Sequence, residues 1–355
     1  MPSTSGYFRV SYSDDIALLD TRTQKYSFAV FCALLLILPF VAKPVIIDLG
    51  SQVFLAAIGA VALMLLTGFA GQISLGHAGL MAAGAFTTGI LFKEFAAPFW
   101  ITLPAAACTG AVFGLVFGLP SLRLRGLYLA VSTLGLHFIV VYLGGEYETR
   151  RGLSSGILLD PPSLLGWSLT GGLAWYFVLL AFAAGAVIIA INLLRSKTGR
   201  AWRALRTNET VAEVMGINVA GHKLLAFVVS STMTAVAGCL FAYYRSFVSI
   251  EAFSLFLSIQ YIAMVIIGGM GSILGALLGA LLVVLLPYIV EWATAASPWA
   301  QNASGRVFAA NYAVFGVVMV LFLLFEPQGL VGIWRRIQNY FLLWPFRQTP
   351  MSGGR

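Results

Sequence analysis

Long apolar runs and short polar interruptions alternate along almost the whole chain, near 26–42, 52–69, 78–92, 99–119, 127–144, 173–194, 223–245, 255–269, 272–290 and 307–325. Most of these runs are of the length a helix needs to cross the hydrocarbon core, about 20 residues. The pattern predicts an all-α polytopic membrane protein with about ten transmembrane helices in one domain, 26–326. Polar tails, 1–25 and 327–355, flank it. The first mixes Asp14, Asp15 and Asp20 with Arg9, Arg22 and Lys25 and shows no cleavable signal pattern. The second mixes Trp334, Tyr340 and Trp344 with Arg335 and Arg336, which suits an amphipathic helix against membrane lipid.

Two of the runs, 78–92 and 255–269, are short for a bilayer, and each adjoins a glycine-rich break. The first break is Gly68-Phe69-Ala70-Gly71-Gln72-Ile73-Ser74-Leu75-Gly76-His77-Ala78-Gly79, and the second is Gly268-Gly269-Met270-Gly271-Ser272-Ile273-Leu274-Gly275. Their similar make-up and matching positions in the two halves are a weak sign of internal duplication. Short, interrupted segments so placed point to a transporter's substrate path. Glycines there also serve close helix packing, and the two roles are compatible. The candidate path residues are Gly71, Gln72, Ser74, Gly76, His77, Gln260, Gly271 and Ser272.

The longest cluster of charge runs from Arg195 to Lys223, between two apolar runs. Helix signals sit inside it. Asn208 suits an N-cap, Glu209 suits the positive end of a helix dipole, and Gly216 is placed to end the helix. Val211, Val214 and Met215 fall on one side, leaving Glu209 and Glu213 to the wet side. So short a helix needs something packed on it. It reads either as a solvated loop or as a docking helix for a soluble partner.

Composition supports the membrane class: of 355 residues 60% are hydrophobic and only 10% charged, with a mean hydropathy of +0.92. A soluble protein of this size cannot hide that much apolar surface. With both termini on one side, the opposite side carries only Lys43, Lys93, Arg150, Arg151, Arg245 and Arg306 of the 21 Lys and Arg. The remaining basic residues define the cytoplasmic side, which includes the 195–223 loop and both tails. That sidedness, rather than nucleic acid, accounts for the pI of about 9.5. Cys32, Cys108 and Cys239 lie in apolar runs and read as small apolar residues.

The runs hold no Asp, Glu, Lys or Arg in their interiors, where ion-coupled transporters and intramembrane hydrolases keep them. His137 has only Gln260, Asn192 and Asn311 as polar company and lacks a carboxylate for proton relay. His77 suits bonding of backbone groups freed by the break. No phosphate-binding glycine loop and no metal spacing occur, so no catalytic residue, cofactor or metal is expected. A path so neutral suits an uncharged or zwitterionic solute with an apolar part. The driving energy then comes through a partner, which favours the docking reading of the loop. A passive channel or facilitator explains the neutral path and leaves that helix without a purpose.

The first break, from Gly71 to His77 above all, resembles the permeases of branched-chain amino acid ABC importers of the LivM type. So, in the same order as in that family, do Leu122-Arg123-Leu124-Arg125-Gly126-Leu127-Tyr128-Leu129-Ala130 with Thr133-Leu134, Met215-Gly216-Ile217-Asn218-Val219, the run from Met264 to Gly275, and Pro327-Gln328-Gly329-Leu330. The resemblance covers about residues 50–332. It implies a permease subunit in the bacterial inner membrane, paired with a LivH-type chain. Two cytoplasmic subunits would bind Mg-ATP, and a periplasmic protein would deliver solute. It also implies a coupling helix on Asn208, Glu209, Val211, Ala212, Val214, Met215 and Gly216. Thr210-Val211-Ala212 stands where importers of this kind carry Glu-Ala-Ala, although Gly216 is in place. Sister permeases carry urea and short amides, so the solute stays open.

Overall fold

The computed structural model describes residues 22–124, 126–153, 156–164, 167–295, 304–326 and 328–343. Nearly all of the 1–25 tail and the end of the 327–355 tail lie outside them, as do the side chains of Arg306 and Asn311. The helices are α1 (Arg22–Val41), α2 (Pro44–Leu63), α3 (His77–Phe95), α4 (Phe99–Ser121), α5 (Leu127–Arg150), α6 (Gly172–Arg195) and α7 (Lys197–Thr207). They continue with α8 (Glu209–Val214), α9 (Val219–Arg245), α10 (Leu255–Gly268), α11 (Ile273–Ala295), α12 (Ser304–Phe325) and α13 (Gly329–Leu343). Among the described residues six stretches are long and apolar enough to cross a membrane: Pro44–Phe69, Phe99–Pro120, Leu127–Arg150, Gly172–Arg195, Val219–Arg245 and Ile273–Trp292.

Each apolar run becomes a helix, with shifted ends. The predicted 52–69 run starts early, at Pro44, whose fixed φ suits the first helical position. Asp48 is tolerated in that extra turn because it accepts from the Tyr244 hydroxyl and from Gln52 Nε2 at 2.8 Å. The predicted 127–144 run continues to Arg150, where Arg150 pairs with Glu146 one turn back at 2.7 Å.

The core is built on α2 and α9, the most buried of the membrane-length helices, with α4 and α6 showing most of their length outward. Small residues let backbones approach, as packing between membrane helices favours. Gly110, Gly114 and Gly118 line one face of α4, and Cβ atoms there would sit 2.5–3.1 Å from Ala235, Val228, Phe227 and Leu224 atoms of α9. Gly84 of α3 lies on the Ala235 carbonyl, and Gly238 of α9 lies on the Met81 carbonyl.

The bundle has two distinct ends. One is closed by short strands: β1 (Ile157–Leu158) pairs antiparallel with β4 (Phe247–Val248), and β2 (Ser163–Leu164) with β3 (Trp167–Ser168). There Glu94 holds Arg151 at 2.8 Å and accepts from the Tyr147 hydroxyl at 2.8 Å, joining α3 to α5. Glu148 accepts from the Ile250 backbone at 3.2 Å. The other end carries residues 196–218 and is called the loop end below.

Candidate functional site

The first break begins where α2 widens into a π-helical turn, Met64–Phe69. Ala70 N donates to Leu65 O and Gln72 N to Leu66 O, both at 3.1 Å, while the Thr67 hydroxyl donates to Gln72 O at 3.0 Å. Gly71 makes the reversal at φ +72°, a conformation costly for any residue with a Cβ. The chain then climbs back into the bundle. Leu75 N donates to Thr133 Oγ1 of α5 at 2.9 Å, and Gly76 presses on the Thr133 carbonyl. His77 Nε2 reaches Gly59 O at 3.0 Å and Thr234 Oγ1 at 3.1 Å.

Gly59 lies nine residues before Gly68, so α3 starts about 14 Å up from the loop end of α2 at the helical rise per residue. This is an interior helix start, and Ser258 Oγ of α10 satisfies the Ala78 N–H there at 2.9 Å. The Thr234 hydroxyl gives its own proton to Ser230 O at 2.8 Å. Both neighbours of His77 Nε2 are therefore acceptors, and Nε2 carries the proton. His77 thus bonds the Gly59 carbonyl in the regular part of α2, not backbone freed by the break itself.

The second break is tighter. Gly269 (φ +111°) and Gly271 (φ +88°) turn the chain from α10 to α11, and Gly268 lies on the Gly275 carbonyl. Ser272 Oγ accepts from Gly275 N at 3.3 Å, capping α11. The two breaks meet in space: a Cβ on Gly68 would stand 3.0 Å from Gly271 N, which itself donates to Met64 Sδ at 3.2 Å. Gly271 therefore meets the first break at Gly68. Gln72, Ser74, Gly76 and His77 follow the climbing segment inward, all buried. Gln260 is half-buried about 12 Å up α10 from Gly268, away from the meeting point.

Among the described residues, buried side-chain groups without a partner include the Gln72 amide, His77 Nδ1, His137 Nδ1 and the hydroxyls of Ser230 and Ser231. These groups are able to meet a zwitterion or water, since buried polar groups normally find partners. The serine pair was missed in the sequence; consecutive hydroxyls in the middle of an apolar run were the available signal.

Between Arg195 and Val219 the chain forms two short helices. Trp202 of α7 is fully buried and its Nε1 donates to His222 O at 2.9 Å; Ala201 and Leu205 are buried beside it. Arg206, one turn beyond Trp202, donates through Nη1 to Gly68 O. Asn208 Oδ1 accepts from Thr210 N at 3.0 Å and Val211 N at 3.2 Å, and so caps α8. Gly216 (φ +82°) ends it, with Ile217 N closing on Ala212 O at 3.0 Å.

The facing of α8 differs from the sequence expectation. Glu209 does not lie on the wet side: it holds Lys223 Nζ at 2.6 Å, and that lysine side chain is only 5% exposed. Ala212 is buried, whereas Glu213 is exposed as expected. Val211, Val214 and Met215 are exposed, the last two at 83% and 78%. Thus α8 is seated by a charge and a methyl group, and its larger apolar side chains project away from the bundle.

A helical bundle with six stretches long and apolar enough to cross a membrane, broken helices and an outward apolar knob is that of a multi-pass membrane protein. The chain belongs to the family of branched-chain amino acid transport system permease components, whose model matches residues 45–323. It is 30% identical over 321 residues to the high-affinity branched-chain amino acid transport system permease protein LivM of Salmonella typhimurium, covering 84% of this chain and 72% of that one. The LivM of Escherichia coli is also 30% identical, over 339 residues, with 89% and 76% covered. A probable LivH permease of Methanocaldococcus jannaschii is 26% identical over 274 residues, with 72% and 82% covered. No solved structure matches the chain.

Proposed function

We propose that the chain is a membrane-spanning subunit of an ATP-driven importer that moves branched-chain or related apolar amino acids across the bacterial inner membrane. In this reading all ten apolar helices enter the bilayer, the loop end and both termini are cytoplasmic, and the strand end faces the periplasm. The partners are a LivH-type permease, two cytoplasmic ATPase subunits and a periplasmic solute-binding protein. Hydrolysis belongs to the ATPases. The observation that carries the reading is α8: a capped helix whose Val211, Val214 and Met215 are exposed. Exposed apolar side chains on a rigid, charge-seated helix suit a groove on a soluble partner.

ATP-driven closure of the partners would displace α8 and favour one of two bundle conformations, since a nucleotide shifts the equilibrium only by discriminating between them. The climbing segment 72–76, with the Gln72 amide, would line the solute's way. The test is the assembled complex in liposomes with Val214→Asp and Met215→Asp together. Both side chains point away from the bundle, so the chain should insert normally. ATPase subunits should no longer co-purify, and uptake should fall at least tenfold. Normal uptake by this variant would overturn docking through α8, and ATP-independent accumulation by the wild-type chain alone would overturn the importer.

A further inference from the structure

We propose that Arg206 is a positioning residue that ties the docking helix to both chain breaks at once. The inference rests on the reading of α8 given above. Helix α2 (through its π-helical turn) and α10 both end at the loop end, and their breaks touch at Gly68 and Gly271. The final carbonyls of two helices there lack partners within their own helices and carry partial negative charge. A guanidinium, with five donors in a fixed plane, is the side chain best matched to such a place. Arg206 Nη1 donates to Gly68 O, and a Cβ on Gly271 would stand 2.5 Å from the same nitrogen. The contact extends to the backbone: a Cβ on Gly71 would lie 3.2 Å from Arg206 Cα.

The arginine is also fixed at its other end. Trp202 and Leu205 seat α7 in the bundle, and only Asn208 separates α7 from α8. Asn208 is itself held by its cap bonds to Thr210 and Val211. A one-residue link so restrained cannot absorb a displacement of α8. Such a displacement reaches Arg206, and through it the ends of α2 and α10 together. The cation thus acts as a pin where the two breaks meet, holding the cytoplasmic end of the path in one arrangement.

The experiment compares wild type, Arg206→Lys and Arg206→Gln in the full complex in liposomes. It reads subunit co-purification, ATP hydrolysis stimulated by the loaded binding protein, and solute moved per ATP. Arg206→Gln should keep all subunits together while solute moved per ATP falls at least tenfold. Arg206→Lys keeps the charge but loses the planar fork and should fall between the two. Gly271→Ala, which crowds the guanidinium from the opposite side, should lower the same ratio. An unchanged ratio in Arg206→Gln would overturn the pin, as would a loss of uptake that follows loss of assembled complex. Failure of the importer reading is separate, because it would appear as a wild-type complex without ATP-driven uptake.

Discussion

At the scale of single residues, the pair of Lys223 and Glu209 decides how the loop end is built. Lys223 opens the inward part of α9 and is almost fully enclosed, so its ammonium is tolerable only with a carboxylate on it. Glu209, the first residue of α8, supplies that carboxylate at 2.6 Å and suits the positive end of the helix dipole. Glu209→Gln should destabilise the chain by about 3 kcal/mol, the low end for removing one partner of a buried pair. The low end applies because the Glu209 side chain keeps 26% exposure. Adding Lys223→Met removes the stranded charge and should restore most of that loss. Thermal melting of the detergent-solubilised complex checks both variants. A double variant as unstable as the single one would show that the charge pair is not what seats α8. The cap at Asn208 and the stop at Gly216 were legible because capping chemistry is local. The inward turn of Glu209 was not, because its partner lies 14 residues away on another helix. Arg206 was hidden differently, as one basic residue among several, though its spacing from Trp202 places it one turn on along the same side of α7, itself still exposed.

Among the helices, glycine placement separates packing from mere permissiveness. The stripe Gly110, Gly114, Gly118 presses on α9, where Gly114 would have a Cβ 2.9 Å from Val228 Cα. Nothing lies within 4 Å of a Cβ on Gly185 of α6, which borders an apolar groove of about 590 Å³ with Leu103, Phe182 and Met233. Gly114→Leu should prevent α4 and α9 from meeting and sharply reduce the amount of folded protein in the membrane. Gly185→Leu should be tolerated, adding apolar surface to an open groove. Immunoblots of membrane fractions, with uptake measured on what survives, compare the two. Equal loss in both would mean that the stripe does not set the helix contact. The sequence pattern located the ten apolar helices because hydrophobic length is written into each run, but not α7, which lies inside the charged 195–223 stretch. It did not reveal which glycines are contacts, since that depends on what faces them. Nor did it show that 72–76 re-enters the bundle: an extended climb leaves no periodic trace, and only the bonds to Thr133 and Gly59 reveal its height.

In the whole molecule, the segments that carry the family resemblance lie far apart in sequence yet gather at the loop end. The first break touches the second, and the second touches the start of α13. Gly269 lies against Gln328 O, and a Cβ on Gly329, itself at φ +66°, would stand 2.5 Å from Gly269 N and 2.6 Å from Ile267 O. The second break is therefore held from one side by Arg206 and from the other by the tail helix, with Glu326 holding Arg336 across the tail's first turns at 3.2 Å. Gly329→Val meets two costs at once, a β-branched residue at positive φ and backbone atoms in the space its side chain needs. It should release α13 and loosen the turn at 269–271 while leaving the centre of the bundle intact. Hydrogen exchange of the purified protein resolves these regions. Exchange in 266–272 should rise several-fold, with little change across 230–240 in the middle of α9, where Thr232 and Thr234 bond carbonyls one turn back. Faster exchange in both regions would mean that the tail supports the whole bundle rather than the break. Unchanged exchange in both would mean that Arg206 and the α10–α11 contact hold the turn without it.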